Sequence, residues 1–144
     1  MELYRSIIEE LKTWKRNPGR KPLILKGARQ TGKTWILEYF WRTEFKYTVK
    51  FNFDKDHSIH EIFKMTKEPS RIISQLSLLT DYPILPNETL LIFDEIQECN
   101  SALNSLKYFY EDSPEYVVVA AGSLLGVALT KGESFPVGKV DFLD

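Results

Sequence analysis

Leu3, Ile7, Ile8, Leu11 and Trp14 recur at three- and four-residue intervals, so the spacing predicts an amphipathic helix over about 3–16. Asn17-Pro18-Gly19 ends it. Pro22-Leu23-Ile24-Leu25-Lys26 is a short apolar run that reads as a buried strand, Gly27 to Gly32 as a loop, and Lys33 to about Arg42 as a helix. Tyr47 to Phe53 alternates and is rich in β-formers, which predicts a second strand. Two modest helices are expected near 59–65 and 71–79, followed by a turn bounded by Pro83 and Pro86. Thr89-Leu90-Leu91-Ile92-Phe93 is an unbroken apolar run ending at Asp94, the pattern of a central parallel strand buried on both faces. Leu103, Leu106, Phe109 and Tyr110 mark another helix, and Tyr116 to Ala121 a further buried strand stopped by Gly122-Ser123. A last strand is expected from Pro136 through Val140 and Phe142.

Strands alternating with helices imply right-handed crossovers and a parallel sheet covered on both faces. The expected fold is therefore a three-layer α/β domain occupying residues 1–144 as one unit, with a helix and basic turn over 1–20 and the core over 21–144. Composition agrees: 43% hydrophobic and 27% charged residues describe a globular chain and exclude a disordered one. No run approaches the ~18 apolar residues of a membrane span. The first residues lack the pattern of a secretory signal. Cys99 is the only cysteine, which rules out an internal disulfide, and a cytoplasmic setting is expected.

Net charge is −1, yet its distribution is uneven. Between Glu10 and Glu38 there is no acid, while Lys12, Lys15, Arg16, Arg20, Lys21, Lys26, Arg29 and Lys33 all fall there. From Glu88 to Glu115 the balance reverses, with Asp94, Glu95, Glu98, Glu111 and Asp112 against Lys107. Such segments are commonly just solvated faces, but together they suit a polyanion held through a divalent cation.

Gly27-Ala28-Arg29-Gln30-Thr31-Gly32-Lys33-Thr34 gives that polyanion a place, since it matches G-x-x-x-x-G-K-[ST] at every fixed position. The glycines let the backbone turn tightly, so that consecutive N–H groups face one phosphate. The helix opening at Lys33 adds the positive end of its dipole. In that arrangement Lys33 reaches the β- and γ-phosphates and the Thr34 hydroxyl ligates Mg²⁺, making a nucleoside triphosphate, ATP, the expected ligand. Leu90-Leu91-Ile92-Phe93-Asp94-Glu95 has the form of a Walker B segment, four apolar residues and then an acid at the strand's carboxyl end. Asp94 is expected to hold the metal, directly or through water. Glu95 stands where a carboxylate can orient and polarise an attacking water. Ser123, beyond the strand ending at Ala121, can approach the γ-phosphate by the same geometry, although a serine after a glycine is by itself usually a turn.

Other residues carry weaker signals. His57 and His60 share a helical face without an evident ligand set, and read as surface histidines. Cys99 follows Glu95 closely and reads as an ordinary thiol. Trp35, Tyr39, Phe40 and Trp41 read as core packing of the helix after the glycine-rich loop, with a base-stacking role as the minority reading.

Taken together, Gly-Ala-Arg-Gln-Thr-Gly-Lys-Thr, Phe-Asp-Glu-Ile-Gln and Ala-Gly-Ser-Leu-Leu resemble the AAA-type P-loop ATPases, specifically the prokaryotic ATP-binding proteins that carry a C-terminal region of unassigned function. The resemblance runs along the whole chain. It implies a P-loop NTPase sheet with an additional strand between the two Walker strands, in the order 5-1-4-3-2, and ATP hydrolysis with Glu95 as the catalytic acid and Ser123 as sensor. It also implies a longer protein, so the chain is expected to be truncated after the fifth strand. Gly138-Lys139 stands where such proteins often have Gly-Arg, and a lysine is a poorer γ-phosphate fork than an arginine. Four readings follow: an ATPase domain; a nucleotide-binding fragment with little turnover; a small-molecule P-loop kinase, disfavoured by Glu95 and by the lack of any arginine after Arg71; and nucleic-acid binding through the basic Lys12–Lys33 stretch, compatible with the first. Assembly into an oligomer is compatible with all of them.

Overall fold

The computed structural model describes residues 2–25, 32–122, 138 and 140–143. In chain order these form α1 (Glu2–Arg16), β1 (Leu23–Leu25), α2 (Gly32–Glu44), β2 (Tyr47–Asn52), α3 (His60–Met65), α4 (Pro69–Ser77), β3 (Thr89–Asp94), α5 (Asn100–Asp112), β4 (Val117–Ala121) and β5 (Asp141–Leu143). One-turn 3₁₀ helices precede α3 (His57–Ile59) and α5 (Ile96–Glu98). The expected helices and strands are present among the described residues, with shifted bounds in places. β5 opens at Asp141 and not at Pro136, and α4 opens two residues before the expected start because Pro69 sits in its first turn, where a missing N–H costs nothing.

All strand pairs are parallel, and the sheet runs β2-β3-β4-β1-β5, which from its other edge is the expected 5-1-4-3-2. Sequence dictates position in this sheet. The first five residues of β3 are buried without a break, as a strand covered on both faces requires, whereas β2 alternates at the edge and exposes Lys50.

Strand alternation sorts the core into two layers. On one face Ile24, Val49, Phe51, Leu91, Phe93, Val118 and Ala120 pack with Phe63 of α3, Ile72 and Leu76 of α4, and Leu103, Leu106 and Phe109 of α5. On the other, Leu23, Leu25, Leu90, Ile92, Val117 and Val119 meet Leu11 and Trp14 of α1 and Phe40 of α2. The aromatic stretch of α2 divides: Phe40 is buried and Trp41 packs against this layer, but Tyr39 is 39% exposed and is no part of the core. The Trp35 side chain lies outside the described residues.

The basic N-terminal stretch is tied into the fold. Lys15 donates to the Glu44 carbonyl and pairs with its carboxylate at 3.6 Å. Arg20, its charged form disfavoured by burial, donates to the carbonyls of Lys15 and Pro114 at 2.8 and 3.0 Å. The Trp14 indole donates to the Lys21 carbonyl at 2.8 Å.

Candidate nucleotide-binding site

The parallel register brings the carboxyl ends of the strands to one rim. Leu25, the last residue of β1, pairs with Ala121, the last of β4. Ala121 pairs in turn with Asp94, and Asp94 with Asn52. Asn52, Asp94, Ala121 and Leu25 thus form one row across the sheet, with Asp94 two strand spacings, about 10 Å, from the end of β1. The glycine-rich segment starts two residues beyond Leu25. The helix that follows it, α2, ends at Glu44, close to the start of β2 at the opposite rim, where the Lys46 N–H donates to the Glu88 carbonyl. Gly32, Lys33 and Thr34, as its first turn, therefore open it at the same rim as Asp94.

Asp94 also lies on the correct face. It continues the alternation of Leu90 and Ile92, which pack toward α2, so its carboxylate belongs to the α2 side of the sheet. One carboxylate oxygen accepts the Glu95 N–H at 3.0 Å; the other is 3.4 Å from the ammonium of Lys50, which projects from the neighbouring edge strand. A cation already accompanies this carboxylate. That suits a site for Mg²⁺, an ion that takes one or two carboxylates and completes its shell with phosphate and water. Among the described residues no group of three or more His, Cys, Asp or Glu forms a metal cage.

Glu95 departs from ordinary backbone geometry, with φ 53° and ψ 44° in the left-handed region. For a residue with a Cβ this conformation is unfavourable and is kept where the surroundings enforce it, often at functional sites. It lets the chain leave β3 sharply and start the Ile96–Glu98 turn, above which Cys99 and α5 follow. No periodicity announces such a conformation. Behind the turn the buried Cys99 thiol is pushed up from its usual pKa by desolvation. His57 and His60 stack on each other at 4.8 Å and bond the carbonyls of Asp54 and Phe53, a role in closing the loop after β2.

Of the expected site residues, Asp94 and Glu95 are thus at the rim where α2 opens, while Lys33 and Thr34 are located by their backbone. Gly27, Ala28, Arg29, Gln30, Thr31, Ser123 and Lys139 lie outside the described residues. Lys50 was not singled out by sequence; its signal was the one exposed, charged position in a β-strand that otherwise alternates.

Residues 19–144 match the AAA domain family. No curated protein matches the chain. Twenty-four chains of solved structures do; one is the structure of C. elegans PCH-2, at 15% identity and a TM-score of 0.48, covering 98% of this chain and 42% of that one. This chain therefore spans less than half the length of that protein. Among the described residues no helix is long and apolar enough to cross a membrane. With a matched segment that takes in both the glycine-rich loop and the acid-tipped strand, the chain belongs to the AAA domain family, whose members bind nucleotide.

Proposed function

We propose that the chain binds ATP with Mg²⁺ at the carboxyl rim of the sheet and hydrolyses it. The observation that carries this is the single row joining the end of β1, the end of β4 and Asp94, on the face where α2 opens. Backbone amides over Gly27–Gly32 and the start of α2 cradle the phosphates, and Lys33 neutralises their charge. Asp94 and Thr34 would hold the metal, which would supply charge stabilisation to the phosphates. Lys50, which pairs with Asp94 at 3.4 Å, would have to release that carboxylate for it to serve as a metal ligand. Glu95 accepts a hydrogen bond from the attacking water and orients it in line with the terminal phosphorus, and Ser123 senses the phosphate. Catalysis is then positioning and charge stabilisation in a fixed polar frame.

Two substitutions test the assignment. Lys33→Ala abolishes binding of fluorescent ATP. Glu95→Gln retains that binding and lowers phosphate release by about a hundredfold or more. Undiminished release in Glu95→Gln would remove Glu95 from the mechanism; tight binding without release by the unaltered chain would leave a nucleotide-binding module. Binding of nucleic acid through the Lys12–Lys33 stretch has less support, because Lys12, Lys15 and Arg20 are engaged within the fold.

A further inference from the structure

Gln97 lies in the 3₁₀ turn that follows Glu95, and both polar atoms of its side chain are buried with no hydrogen-bond partner among the described residues. A buried carboxamide in that condition is costly and rare in folded proteins. Gly122 leaves room for it. A Cβ at position 122 would fall 1.9 Å from the Gln97 Oε1, 3.0 Å from its Cδ and 3.4 Å from the Glu95 Cα. Only a glycine leaves room for the amide there. The Gln97 amide, the backbone of Glu95 and the end of β4 therefore converge on one spot. Because β4 lies between β1 and β3, that spot is midway between the strand leading to the glycine-rich loop and the strand carrying Asp94.

We propose that Gln97 is a positioning residue whose carboxamide takes its partner from the terminal phosphate of the bound triphosphate, or from water bound to that phosphate, and so holds the Ile96–Glu98 turn and Glu95 in register. The inference rests on the ATPase reading above. Its chemistry is that of the amide: the NH₂ donates to an oxyanion while the carbonyl oxygen accepts from water, so one group serves both partners of the hydrolysis. A diphosphate lacks the terminal oxygens, so the amide distinguishes the two nucleotides and passes the difference to Glu95 through a turn of three residues.

The test uses Gln97→Leu and Gln97→Glu in the full chain, with fluorescent ADP and a non-hydrolysable ATP analogue as probes. In nucleotide-free Gln97→Leu, removal of the unpaired amide raises the melting midpoint by about 3 °C. Affinity for ADP is unchanged, and affinity for the triphosphate falls about tenfold. Gln97→Glu keeps the shape and sets a negative charge toward the phosphate, so the same triphosphate-to-diphosphate ratio falls at least as far; this variant reads the proposal even where the leucine is not tolerated. A lower midpoint with equal loss of both nucleotides would make Gln97 a packing residue and overturn the proposal. So would a ratio indifferent to both substitutions. If the unaltered chain binds neither probe, the ATPase reading itself fails and takes this inference with it; an unaltered chain that binds both isolates the result to Gln97.

Discussion

Glu95 joins two demands in one residue. Its carboxylate is the group proposed to orient water, and its backbone is held left-handed, which costs an L-residue about 1–2 kcal/mol. Glycine adopts this conformation without that penalty but loses more entropy on folding, so Glu95→Gly is expected to stabilise the fold by up to about 1 kcal/mol, read as a higher urea midpoint. The same variant loses turnover. A stability gained together with activity lost is the signature of strain kept for function. If Glu95→Gly is instead less stable, its side chain supports the turn, and the backbone angle follows from packing alone. Lys50 belongs to the same scale. Its ion pair with Asp94 is half-exposed and worth little to folding, so Lys50→Met should leave stability within about 0.5 kcal/mol of the unaltered chain. What it should change is the Mg²⁺ concentration needed for nucleotide binding, which falls because no resident cation competes.

Among the elements, β3 bears most of the architecture. Phe93 is fully buried, and its ring meets Phe53, Phe63 and Phe109 at centroid distances of 5.6, 5.4 and 6.2 Å. Phe93→Ala is expected to cost about 3–5 kcal/mol, a large share of the ~5–15 kcal/mol that holds such a domain, and denaturant unfolding measures it. Strands of this kind were legible from sequence because an unbroken apolar run has no place except between two layers. The rim was legible for the same reason, since parallel strands deliver whatever follows them to one edge. Helix starts were less so: Pro69 was the available signal for α4, and it sits three residues before Ile72, the first of the apolar positions that mark the helix. The Glu95 backbone angle and the contact between Gln97 and Gly122 were hidden. Both arise when two segments distant in sequence meet, and neither leaves a period or a composition behind. Tyr39 shows the converse, an aromatic in a helical cluster that packing leaves at the surface.

At the scale of the whole molecule, two apolar layers flank one sheet, and α1 closes the layer under β1 through Leu11 and Trp14. The strand that leads into the glycine-rich loop is paired on one side by β4 and on the other by β5, both late in the sequence. Long-range parallel pairing of this sort folds slowly, because loops must close before contacts reward them. A charge at buried Val140, as in Val140→Asp, is expected to loosen β5 and bare the flank of β1, seen as light scattering on refolding. If that variant refolds clear and melts as the unaltered chain does, β5 is dispensable to the sheet. The register has a consequence for synthesis too. As the chain leaves a ribosome, β1 emerges with neither neighbour yet made, and Leu23 acquires its partner Asp141 only after every intervening strand and helix has been translated. Charging with nucleotide would then wait for β5, so that a nascent molecule stays silent toward nucleotide until that strand has been made.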